Sequence, residues 1–184
     1  NSREALKPAK KSGKKLTMSE VEEDLRTVIE TAKQALALPE ETPTILSGVS
    51  RGASMAVLLA GDKNLQPLLA GAIAVALTRE SDYLLVPESA AAQPGIKLDE
   101  NGGMLTYPAI DRLGSLPIAV IQAEGDKYVP ALEAREHFGP GTPTRRLYAV
   151  KASYHGFRGG REELLRDVDE ALSWIVSLPP PGGN

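Results

Sequence analysis

The chain has 184 residues, 42% of them hydrophobic, with 21 Lys and Arg against 24 Asp and Glu and a net charge of −3. That balance fits one globular domain and argues against a general nucleic-acid binder, which would show a basic surplus. Cysteine is absent, which excludes disulfides, thiolate metal sites and cysteine nucleophiles, and two histidines are too few for a histidine-rich metal centre.

The charge is uneven. Arg3, Lys7, Lys10, Lys11, Lys14 and Lys15 against Glu4 give residues 1–15 about +5, leaving about −8 for the rest. Such a run reads as a solvated tail, and residues 1–18 are assigned to it. No apolar stretch in it is followed by a small-residue cleavage site, so it does not read as a signal peptide; the compartment stays open. No run elsewhere reaches 18 apolar residues, so no transmembrane segment is expected.

A helix is predicted next. Ser19 and Glu22 have capping-box spacing, and Val21, Leu25, Val28, Ile29, Ala32 and Leu36 recur on one face. Thr44 to Val49 is a short β-prone run, Ala53 to Ala60 a helix, and Leu69 to Leu77 a buried strand. Residues 78–115 hold Pro87, Pro94, Pro108 and several glycines with little periodicity; a long irregular insertion of this kind is expected to be lid-like. Leu116 to Ala123 is a strand, Pro130 to Phe138 a helix, Arg145 to Val150 a strand and Arg161 to Val176 an amphipathic helix. Residues 179–184 are a Pro- and Gly-rich tail. Strands alternating with helices, and strands that are apolar throughout, predict an α/β fold with a parallel sheet flanked by helices. The core domain is placed at 19–178.

Gly48-Val49-Ser50-Arg51-Gly52 is a G-x-S-x-G. Alone the pattern is weak, but here it closes a strand and opens a helix, the setting of a nucleophile elbow. The glycines on either side are expected to relieve clashes in the sharp turn. A serine in this place sits at a helix N-terminus, where dipole and N–H groups favour negative charge, and the Arg51 amide is the candidate oxyanion donor. The Arg51 side chain is either a solvated residue or an attractor for an anionic group. A serine hydroxyl needs a base. His155 lies in a loop just after the strand 145–150, on the side of the elbow, whereas His137 lies inside a helix and is read as a surface residue. Asp126 directly follows the strand 116–123 and is the candidate orienting acid, ahead of Glu124 and Asp82; its other reading is a turn or cap residue.

In these residues the chain resembles the C-terminal half of an α/β-hydrolase, of the esterase and dienelactone-hydrolase-like kind. Ser50, Asp126 and His155 follow one another in the order that family uses, at separations of 76 and 29 residues. Gly125-Asp126-Lys127-Tyr128-Val129-Pro130 and the His155-Gly156-Phe157 loop before a last amphipathic helix are familiar in it. The resemblance covers about residues 19–176. It implies a serine hydrolase acting on a carboxylic ester or related acyl bond, with no metal or cofactor, a small-molecule acyl substrate and no nucleic-acid partner. The alternatives are a peptidase or acyltransferase on the same fold, or a non-catalytic binding subunit. Tyr83, Leu85, Met104 and Tyr107 in the 78–115 segment either shape the acyl pocket or simply cover the sheet.

One departure stands out. The family has further strands before the elbow strand, and here only a helix and a basic loop precede it. The expected sheet therefore has four strands with the elbow strand on an unpaired edge, and the N-terminal strands are expected in a missing half or a companion chain. The second oxyanion N–H, which the family takes from an earlier loop, has no counterpart here. One lost donor costs about 10²–10³ in rate, so the chain by itself is expected to be weak.

Overall fold

The computed structural model describes residues 15–81, 85–86 and 95–179. A four-stranded parallel sheet forms its centre, in the order β2-β3-β5-β6, built from β2 (Thr44–Val49), β3 (Leu69–Val75), β5 (Ile118–Ala123) and β6 (Arg145–Val150). β1 (Leu16–Thr17) and β4 (Leu85–Val86) form a separate parallel pair. The helices are α1 (Met18–Ala35), α2 (Arg51–Ala60), α3 (Thr106–Ala109), α4 (Ala131–Phe138) and α5 (Arg161–Ser177). This is the parallel α/β architecture expected from the sequence, with the elbow strand β2 at one edge of the sheet among the described residues.

The central strands show why the sheet is covered on both faces. In β5 every residue is buried, and successive side chains alternate between two cores. Ile118 and Val120 join the core under α1, α2 and α3, while Ala119, Ile121 and Ala123 join the one under α5. β3 divides likewise, with Ala72 and Ala74 on the first side and Ile73 and Val75 on the second. That is the two-residue period of a strand buried on both faces. The edge strands β2 and β6 are only partly buried.

Three local expectations are corrected. The first helix begins at Met18, and its capping box is Thr17 with Glu20 rather than Ser19 with Glu22: the Glu20 amide donates to Thr17 Oγ1, and the Thr17 amide to Glu20 Oε2. Starting two residues earlier places Met18, 1% exposed, in the core. Secondly, Leu16 and Thr17, read as tail, form β1. Thirdly, the described part of the 78–115 segment has more order than its composition suggests. It contains β4, bridges at Glu80–Leu105 and Leu98–Met104, α3 and a 3₁₀ turn over Ile110–Leu113. These elements are too short to leave a periodic signature. No helix among the described residues is long and apolar enough to cross a membrane.

Candidate active site

The loops at the C-terminal ends of β2, β5 and β6 carry Ser50, Asp126 and His155. Because the strands are parallel and in register, the three loops open on the same edge of the sheet.

Ser50 stands between β2 and α2 with φ 56° and ψ −118°, a region that a non-glycine residue occupies at a cost of about 1–3 kcal/mol. Its amide still donates to the Val75 carbonyl at 2.8 Å, continuing the β2–β3 ladder, and its carbonyl accepts from the Ser54 amide at 3.1 Å, opening α2. The turn is therefore held from both sides. Serine at this helix position usually caps the first turn with its hydroxyl. Here the hydroxyl makes no cap bond and meets His155 Nε2 at 2.7 Å instead.

Gly48 makes the turn possible: a Cβ on it would lie 2.1 Å from the Gly52 carbonyl oxygen. Gly52 is different, because a Cβ there meets nothing within 4 Å. The expectation that both flanking glycines relieve a clash holds for Gly48 and is corrected for Gly52.

The Asp126 and His155 loops are laced together. The Glu124 amide donates to Val150 O at 2.9 Å and the Gly125 amide to Ala152 O at 2.8 Å, extending the β5–β6 ladder past the strand ends. A Cβ on Gly125 would fall 2.9 Å from Ser153 Cα, so glycine is what lets the two loops touch. Phe157 is buried in the α5-side core and anchors the loop behind His155. The result is a second short contact, 2.7 Å from His155 Nδ1 to Asp126 Oδ2.

The proton positions follow from these partners. Nδ1 faces a carboxylate, which accepts only, so Nδ1 carries the hydrogen and donates. Nε2 is then the acceptor for the Ser50 hydroxyl. Asp126 is 1% exposed, and its charge is met by three donors. Oδ1 takes the Tyr128 amide at 2.8 Å; Oδ2 takes His155 Nδ1 and Gln122 Nε2, the latter at 3.0 Å. The Tyr128 ring stands edge-on to the imidazole, with centroids 4.9 Å apart.

The other sequence candidates are placed as follows. Arg51 is the exposed first residue of α2. Glu124 is exposed beside the site, and Asp82 and Tyr83 lie outside the described residues. Leu85, Met104 and Tyr107 are buried in the larger core. Among the described residues the Tyr107 hydroxyl is buried without a hydrogen-bond partner; burial, with the charges of Glu133 and Asp126, pushes its pKa well up, so the phenol stays neutral. His137 lies on the surface of α4, accepted by Glu133 at 3.1 Å and tilted against the Tyr107 ring. Gln122 was not singled out by the sequence. The available signal was one polar residue inside the otherwise apolar run Leu116 to Ala123.

Comparison with known structures agrees with this architecture. The chain is similar to Est1E from Butyrivibrio proteoclasticus, with 16% identity and a TM-score of 0.58, over 89% of this chain and 72% of that one. It is similar to a protein provisionally assigned as a dienelactone hydrolase from Klebsiella pneumoniae, with 15% identity and a TM-score of 0.60, over 88% of this chain and 62% of that one. It is also similar to E-2-(acetamidomethylene)succinate hydrolase, with 15% identity and a TM-score of 0.51, over 85% of this chain and 74% of that one. No protein-family model matches the sequence, and no curated protein matches it. The fold is that of the α/β-hydrolases, and the chain spans between about three-fifths and three-quarters of these structures.

Proposed function

We propose that the chain is a serine hydrolase that cleaves a carboxylic ester or related acyl bond. The observation that carries this reading is the pair of 2.7 Å contacts running from Ser50 Oγ through the His155 ring to Asp126 Oδ2. Ser50 Oγ attacks the carbonyl carbon as its proton passes to His155 Nε2. The Arg51 amide stabilises the oxyanion. His155 then gives the proton to the leaving-group oxygen, the C–O bond breaks and an acyl-Ser50 ester remains. Water, deprotonated by the same imidazole, releases the acid. Asp126 holds the Nδ1–H tautomer and stabilises the imidazolium. Supporting this reading are the strained Ser50 backbone, the absence of a cap bond that would occupy its hydroxyl, and hydrolases among the similar structures.

β2 carries the nucleophile and pairs on one side only among the described residues, while the similar structures are longer chains. We further propose that a companion segment pairs with the open side of β2 in the working enzyme and supplies the second oxyanion donor.

The test is fluorophosphonate treatment followed by intact and peptide mass spectrometry, on the protein and on Ser50→Ala. One adduct on Ser50, absent from the variant, is expected. A folded protein that takes no adduct, alone or with its companion, would overturn the hydrolase reading in favour of a binding subunit. Turnover of p-nitrophenyl esters without cleavage of peptide anilides is expected of an esterase; the reverse would make it a peptidase.

A further inference from the structure

We infer that Gln122 is the positioning residue that aims the Asp126 carboxylate at His155. This rests on the proposed triad and goes beyond it, because Gln122 touches neither Ser50 nor the imidazole in the contacts that define the site.

Gln122 is the fifth residue of β5 and is fully buried. Its Nε2 faces three acceptors: Asp126 Oδ2 at 3.0 Å, the Val129 carbonyl, and the Leu77 carbonyl at 3.5 Å. All three accept only, so the NH₂ must face them and Oε1 must face away. Oε1 is buried and finds no partner among the described residues. Leaving a buried acceptor unpaired is costly, and a leucine or methionine would fill the space without that cost. The amide is therefore present despite its own desolvation, and its donors are what it contributes.

The geometry shows what they do. Asp126 sits on a turn, and its side chain has free rotation at χ1 and χ2 unless both oxygens are held. The Tyr128 amide fixes Oδ1. Gln122 fixes Oδ2, the oxygen that His155 uses. Through its second hydrogen the same NH₂ ties Val129 O on the far side of the turn, while Leu77 O, at 3.5 Å, lies at the limit of hydrogen-bond distance. One rigid strand residue thereby registers the Asp126 turn against the sheet. Hydrogen bonds that hold the partners of a reacting group in place are a recurring requirement of precise sites.

The test is a double-mutant cycle on the rate of fluorophosphonate labelling of Ser50. Gln122→Met removes the donors and keeps the side-chain length; Asp126→Ala removes the group it positions. Gln122→Met is expected to slow labelling about 10- to 100-fold, the worth of a hydrogen bond to a charged group, and to have little effect once Asp126 is alanine. Equal slowing in both backgrounds, or none in either, overturns the inference, because a residue that only supports the fold would act in both. Circular dichroism checks that each variant is folded; if Gln122→Met is not, Gln122→Leu removes the same donors with a smaller side chain and is expected to slow labelling at least as much.

A second readout needs no reaction. The far-downfield proton resonance of the His155–Asp126 hydrogen bond is expected to shift or vanish in the folded Gln122 variant. An unmoved resonance overturns the inference. A wild-type protein that shows this resonance and takes no label would instead refute the serine-hydrolase reading while leaving the positioning contact measured.

Discussion

A methyl group on Gly48 would lie 2.1 Å from the carbonyl oxygen of Gly52, and a methyl group on Gly52 would touch nothing. Two glycines that look equivalent in the motif therefore have different reasons to be there. Gly48→Ala forces backbone against backbone at the elbow, and overpacking of this kind costs about 1–3 kcal/mol or more. Its melting temperature is expected to fall by several degrees or folding to fail, whereas Gly52→Ala, in the first turn of α2, is expected to match or exceed the parent because alanine favours helix. Thermal unfolding of the two variants side by side checks this.

Asp126→Asn keeps the shape of the side chain and removes its charge. In the proposed mechanism the asparagine NH₂ can donate, so it no longer enforces the Nδ1–H tautomer of His155. Loss of about 10⁴ in rate is typical of this change in a triad. Labelling of Ser50 is expected to fall by roughly that factor in a protein whose circular dichroism is unchanged; a parent-like rate would remove Asp126 from the triad.

Tyr107 buries a hydroxyl with no partner among the described residues. Removing a buried unsatisfied polar group recovers about 1–3 kcal/mol, so Tyr107→Phe is expected to raise the melting temperature. Its labelling and ester turnover are expected to stay at parental levels if the ring is core. A raised KM would instead place the hydroxyl on the substrate.

Asp167 lies buried on α5, and burial pushes its pKa up despite the hydrogen bond from Arg166. A carboxyl with a raised folded pKa favours folding when protonated, and that contribution is lost as pH rises through the folded value. At neutral pH the charge is a cost. Asp167→Asn is expected to be more stable than the parent at pH 7, with the gain shrinking as pH falls toward about 4, the ordinary carboxylate range. Melting curves across that interval measure it.

Glu133 has the opposite sign. Burial pushes it up, but hydrogen bonds from Arg79 and His137 outweigh that and hold it below the ordinary range. Its contribution is present above the unfolded value and lost as pH falls through the folded one. Glu133→Gln is expected to lower the melting temperature slightly at pH 7, since the pair is half open to solvent, and the difference is expected to close below about pH 4.

Much of this fold was legible from local pattern. β2 and β6 match their sequence runs residue for residue, and α5 differs by one residue at its end. Long helices and buried strands announce themselves because their periodicity repeats over many residues. Short elements did not. β1 exists only because β4, nearly 70 residues later, pairs with it, and no local property of Leu16 and Thr17 contains that partner. The start of α1 was ambiguous because Thr17 and Ser19 both precede a glutamate by three residues; burial of Met18 decides between them.

By itself the sequence determined the order of strands and helices, the parallel sheet and the three chain positions where a serine, an acid and a histidine follow strand ends. Order and periodicity are local, and the rule that parallel strands open their loops on one edge turns them into a shared site. Only the tertiary structure decided the distances. It brought Ser50, His155 and Asp126 into 2.7 Å contacts, distinguished Gly48 from Gly52, buried Tyr107 and placed the Gln122 amide against Asp126. The triad contacts depend on how residues far apart in the chain pack together, and the elbow and Asp126-turn contacts on the backbone angles that this packing imposes on neighbouring residues.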